Sequence, residues 1–139
     1  MTSFATDVAA ALHAHAGTPS WPATRPSMPK SPQRGAEDHI VLRTAAEQLV
    51  AEANAVLGAG GHRITFDDES GPGRLGFRLG FGSGSARIVT TFVRDYAITR
   101  LLGDGLRSAA PRELAGTAEL HALITFLVAD PYGRTTPAG

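Results

Sequence analysis

The chain is expected to fold as an α+β domain: a three-stranded antiparallel meander packed against a long helix and two C-terminal helices, with an N-terminal helix and a proline-rich arm. Three observations predict this. Leu75, Phe77, Leu79 and Phe81 alternate with Arg74, Gly76, Arg78 and Gly80, and a period of two means a strand with one buried face. Residues 36–57 carry Leu42, Ala45, Ala46, Leu49, Ala53, Val56 and Leu57 at helical spacing. The strand-like runs are joined by short polar and glycine-rich turns, which suit antiparallel pairing because parallel strands need a long crossover. With 139 residues, one domain with extensions has enough chain for a hydrophobic core.

Residues 3–16 read as a helix. Ser3 or Thr6 can cap it, Asp7 suits its positive end, and Phe4, Val8, Ala11, Leu12 and His15 form one stripe. Gly17, Thr18 and Pro19 stop it. Pro19, Pro22, Pro26, Pro29 and Pro32 then impose extended or irregular chain, made locally basic by Arg25, Lys30 and Arg34. Trp21, the single tryptophan, sits in this tract and is expected to anchor it to the body or to another subunit, since a ring left in water wastes about 25 cal/mol per Å². The 36–57 helix closes at Gly58, Gly60 and Gly61.

The meander follows: a strand over Arg63–Asp68 with Ile64 and Phe66 inward, a polar turn through Pro72, the Leu75–Phe81 strand, a tight Gly82–Ser85 connection, and an Arg87–Arg94 strand apolar on both faces and therefore central or covered twice. Helices are expected from about Asp95 to Ala109 and from Pro111–Thr117 onward to Pro131, the latter striped by Leu120, Leu123, Ile124, Leu127 and Val128. The domain organisation is thus an N-terminal helix over 1–17, a basic proline-rich linker or arm over 18–35, a single α+β domain over 36–130, and a flexible tail over 131–139.

Thirteen basic residues balance thirteen acidic ones, so no global field steers the chain toward nucleic acid, and only a local basic patch would serve. Cysteine is absent, which removes disulfides and thiolate chemistry and suits a cytoplasmic setting. The first residues lack a basic n-region and a long apolar core, so no secretory leader is expected. No run of about 18 uncharged apolar residues is present to cross a bilayer.

Catalytic and cofactor motifs are missing. His13 and His15 diverge on a helix, while His39, His62 and His121 are isolated, so no metal is expected. Asp67, Asp68 and Glu69 read as a solvated hairpin end rather than a calcium loop. The Gly80–Ser85 stretch opens no helix and ends in no Lys-Ser or Lys-Thr, so it is a hairpin turn and not a phosphate cradle; no cofactor is expected.

The binding candidates are Trp21 and the arginines Arg63, Arg74, Arg78, Arg87 and Arg94, which lie on or beside the strands. Guanidiniums on one sheet face hold acidic groups bidentately, or simply keep the face soluble. No aromatic residue interleaves them on that face, which ranks an acidic protein surface above single-stranded nucleic acid. The expected function is a non-catalytic protein-interaction or assembly component: a small adaptor, chaperone-like protein or structural subunit, acting on a protein partner or by self-association through the N-terminal arm. Deleting residues 1–34 is expected to weaken that association. The alternatives are a nucleic-acid or acidic-ligand binder using the arginine face, and a small enzyme in which His62, Asp67, Asp68, Arg78 or Arg87 converge.

Overall fold

The computed structural model describes residues 3–12, 22–103 and 111–129. Helices and antiparallel sheets are mixed, as an α+β fold requires. In chain order the elements are α1 (Ser3–Leu12), β1 (Thr24–Pro26), α2 (Pro32–Leu57), β2 (Thr65–Asp68), β3 (Arg74–Phe81), β4 (Gly84–Val93), β5 (Tyr96–Gly103), β6 (Arg112–Leu114) and α3 (Glu119–Ala129). The main sheet has four strands in the order β2-β3-β4-β5, every neighbour antiparallel. A separate ribbon pairs β1 with β6.

The meander therefore has one strand more than expected. Residues 96–103, read from the sequence as the start of a helix over Asp95–Ala109, form β5 instead; residues 104–109 lie outside the described part. Arg94 and Asp95 make a two-residue turn between Val93 and Tyr96, and the chain doubles straight back along β4. Arg112–Leu114, expected to open the last helix, is a strand, and α3 begins at Glu119 after the Thr117–Ala118 turn. Part of the proline tract is likewise in a sheet. Thr24–Pro26 pairs with Arg112–Leu114, and Lys30 exchanges two backbone hydrogen bonds with Ala97 of β5 (2.8 and 2.7 Å).

α2 starts at Pro32 rather than at residue 36. The Ser31 hydroxyl accepts from the Arg34 amide at 3.2 Å, and proline suits the first helical turn because its missing N–H would be unpaired there. Gly35, which reads as a break, is a contact point inside the helix. A Cβ placed on it would lie 2.5 Å from the Cβ of Ala97, so this is where α2 presses onto β5. At its other end Asn54 brackets Ile64: its Oδ1 accepts from the Ile64 amide (2.7 Å) and its Nδ2 donates to the Ile64 carbonyl (3.0 Å). That clamp sets where β2 begins.

The alternation on β3 holds. Phe77, Leu79 and Phe81 are buried, and pair across the sheet with Ile88, Ala86 and Gly84 of β4. Gly82 turns the β3–β4 hairpin with φ of 60°, a conformation glycine adopts without steric cost. The inner face packs against Ala46, Val50, Ala53 and Leu57 of α2 and Leu120, Leu123, Ile124, Leu127 and Val128 of α3. α1 belongs to the same core: Phe4 and Val8 are buried in it, Phe4 meets the His121 ring edge-on at 4.6 Å, and Asp7 pairs with His121 at 3.0 Å. The N-terminal helix is thus docked on its own chain. No helix among the described residues is long and apolar enough to cross a membrane.

Candidate interaction surfaces

Three places collect polar chemistry: the outer face of the main sheet, a buried hydroxyl–imidazole chain, and a charged pocket beside the β1/β6 ribbon.

Register fixes the outer face. Asp67, Arg78, Arg87 and Leu102 form one cross-strand row; Gly76, Val89 and Arg100 form the next; then come Arg74, Thr91 and Ile98, and finally Val93 with Tyr96. The arginines Arg74, Arg78 and Arg87 therefore do share a face, with Arg100 added and with Asp67 among them. Arg63 precedes β2, and Arg94 occupies the β4–β5 turn with φ of 50°, where a non-glycine residue is uncommon. Trp21 falls outside the described residues.

The glycines of this face are covered, and its apolar content differs from the sequence reading. The Glu69 carbonyl lies 3.3 Å from where a Gly76 Cβ would be, and Thr65 Oγ1 lies 2.7 Å from that of Gly80, so the chain's own β2 edge fills the space. The face is also more apolar than expected. Val93 (40%), Tyr96 (41%) and Leu102 (42%) stay exposed there, beside half-buried Val89 and Ile98. Sequence reasoning missed these because it placed 96–102 in a helix; the alternation Tyr96, Ile98, Arg100, Leu102 was the available signal. No described helix lies on this side, since α2 and α3 pack on the inner face. Glu69 reaches back onto Arg87 at 2.9 Å.

On the inner face His39 is buried, with Nδ1 3.3 Å from Thr90 Oγ1, which lies 2.9 Å from Thr99 Oγ1. Its ring sits edge-on to Phe77, which stacks on Phe66, and Arg43 covers Phe66 at 5.3 Å. Burial, together with the Arg43 charge, holds the His39 pKa below its ordinary value against the opposing pull of Asp68. Its Nε2 is buried without a partner. Arg43 clamps Asp68 through two bonds of 2.7 and 2.6 Å, and that hydrogen bonding lowers the Asp68 pKa.

The acidic cluster is thereby divided. Asp68 ties β2 to α2, Glu69 meets Arg87, and Asp67 joins the outer face. His62 packs beside Phe81, at the far end of β3 from the Asp68–Phe77 pair. Of the residues an enzyme reading needs, Asp67, Arg78 and Arg87 share one cross-strand row, whereas Asp68 is tied to Arg43 and His62 lies beside Phe81. Among the described residues no three His, Asp or Glu side chains are grouped to hold a metal ion.

The third place is a chain of charges, Arg25–Glu113–Lys30–Asp38–Arg34, with contacts of 3.1 to 3.2 Å. It joins the β1/β6 ribbon to the first turns of α2 and borders a pocket of about 190 Å³. Burial works to raise the Asp38 pKa, but the hydrogen bonds and charges of Lys30 and Arg34 outweigh it and hold the carboxyl below its usual range.

Comparison of the chain with protein-family models, with curated proteins and with solved structures returned no match.

Proposed function

We propose that this protein is a non-catalytic interaction component whose outer sheet face, spanning β3 to β5, docks an acidic surface of another protein. One observation carries the reading. Arg74, Arg78, Arg87 and Arg100 are interleaved with Val89, Val93, Tyr96, Ile98 and Leu102 on a face that no described helix covers. Exposed apolar side chains supply area removed from water on docking, and guanidiniums supply paired hydrogen bonds to carboxylates. Tyrosine and arginine are also the residue types that concentrate binding energy at interfaces.

Charge favours a different protein over a second copy. The face carries four arginines against Asp67 and Glu69, and Arg78 already stands directly opposite Arg87. Stacking two such faces would oppose cation to cation, which is destabilising. The arm reading gains nothing from α1, because Phe4 and Val8 fill the core. Deleting residues 1–34 would open that core, so it cannot report on partner binding.

The test is an NMR titration with a short peptide of alternating Glu and Phe, beside a single-stranded oligonucleotide and a Lys–Phe control. Binding of the Glu–Phe peptide, with shifts confined to β3–β5 and lost in an Arg87→Glu/Arg100→Glu variant, is the expected result. Tighter binding of the oligonucleotide transfers the face to nucleic acid. Silence toward the acidic peptide at low salt overturns the proposal.

A further inference from the structure

The pocket beside the β1/β6 ribbon is a second site, on the helix side of the molecule and built from none of the outer-face residues. Its polar wall contains three cations and two carboxylates. Both carboxylates are fully engaged: Glu113 meets Arg25 through one oxygen (3.1 Å) and Lys30 through the other (3.2 Å). Asp38 meets Arg34 at 3.1 Å and Lys30 at 3.1 Å. Lys30 bridges the two, and the Glu113 side chain is almost wholly buried.

What remains is cationic. Arg25 and Arg34 each bond through Nε, which leaves the terminal nitrogens of both guanidiniums without a contact among the described residues. Their side chains are 56% and 69% exposed, at the two ends of the charge chain. A network serving only to fasten the ribbon to α2 would be complete with Glu113, Lys30 and Asp38. The two forks at its ends add donors to which no described residue is bonded.

The rest of the lining is apolar or small. Val41 and Leu42 of α2 face Leu114 of β6, with Gly116 and Thr117 at the edge. Val41 is 56% exposed, which places apolar surface at the mouth. The volume of about 190 Å³ is below the roughly 300–1,000 Å³ of sites for drug-sized ligands, so the occupant is small.

The geometry points to a binding site for a small amphipathic anion, whose carboxylate or phosphate is held by the Arg25 and Arg34 forks while its short apolar body lies on Val41, Leu42 and Leu114. The anionic head offsets the one surplus positive charge, and guanidinium forks match both oxyanion geometries. The depressed Asp38 pKa is consistent with this, since it keeps the internal pairs ionised and the forks oriented.

Phenylacetate and phenyl phosphate are the probes, titrated into the full chain with detection of arginine Nε–H and of leucine and valine methyl signals. 2-Phenylethanol and inorganic phosphate are the controls. The expected result is saturable shifts at Arg25, Arg34, Val41 and Leu114 with a Kd of about 1 mM or tighter for one of the two anions, which also decides between carboxylate and phosphate. 2-Phenylethanol and inorganic phosphate should each bind about tenfold or more weakly. Arg25→Gln/Arg34→Gln should weaken binding by a similar factor. Val41→Glu, at a position 56% exposed, should do the same by placing a negative charge at the mouth. Absence of saturation with both anions, affinity unchanged in the variants, or inorganic phosphate binding as well as phenyl phosphate overturns the proposal.

Discussion

Replacing Gly35 by alanine should destabilise this protein, although helix propensity alone says the opposite. Alanine in a helix interior is favoured over glycine by about 1 kcal/mol. The new Cβ, however, would stand 2.5 Å from the Ala97 Cβ, where carbon atoms prefer about 3.5–4.0 Å. One element would have to retreat by about 1 Å, and neither moves easily. Lys30, five residues before Gly35, is held to Ala97 by backbone bonds of 2.8 and 2.7 Å, and Ala97 is also paired with Phe92. Overpacking of this kind costs about 1–3 kcal/mol. Subtracting the propensity gain leaves a net loss of about 1 kcal/mol, or about 3–5 °C in Tm for a chain of this size. Gly58 is the control. It has helical φ and ψ of −60° and −28°, nothing lies within 4 Å of its would-be Cβ, and Gly58→Ala should stabilise by about 0.4–1 kcal/mol. Urea denaturation of Gly35→Ala, Ala97→Gly and the double variant completes the cycle, and the pair should be coupled by about 1–3 kcal/mol because the second change removes the clash. A Gly35→Ala protein as stable as the parent, or a cycle without coupling, would refute the close approach of α2 to β5.

His39 should make stability fall on mild acidification. Its pKa is lowered in the folded state, so above about pH 6.5 it is neutral folded or unfolded and adds no pH dependence. As pH drops below that value the unfolded chain takes a proton the folded one resists, and stability is lost down to the folded pKa. The urea midpoint should decline between pH 7.5 and 5, and His39→Leu should flatten that decline; an equally steep slope in the variant would remove His39 as its source. Arg94→Gly should stabilise by about 1 kcal/mol by relieving the φ of 50°, read as a higher urea midpoint. An unmoved midpoint would mean that the turn carries no such strain.

The parts of the fold that could be read from the sequence are those where one rule acts alone. On β3 the large apolar residues fall on one side, and register pairs them with Ile88 and Ala86, so the buried face and its arginine opposite were legible. The pocket was not, because Arg25 and Lys30 meet Glu113 across some eighty positions of sequence, and no local pattern encodes that meeting. Gly35 was read as the edge of a linker, since a glycine required by a neighbouring strand's side chain looks the same in sequence as one that ends a helix.

β5 is the instructive failure. Two of its three inward residues, Ala97 and Thr99, are small or polar because α2 presses in at Gly35 and because Thr99 completes the chain through Thr90 to His39; the third, Leu101, is in the core. Its outward face carries the large apolar Tyr96, Ile98 and Leu102 beside Arg100. A strand with large apolar residues on both faces loses the usual contrast between them, and Ile98, Leu101 and Leu102 then also satisfy helical spacing. The misreading and the proposed function thus have one physical cause. Apolar area that folding leaves exposed lies on an arginine-bearing sheet face, and the proposed docking draws on that patch.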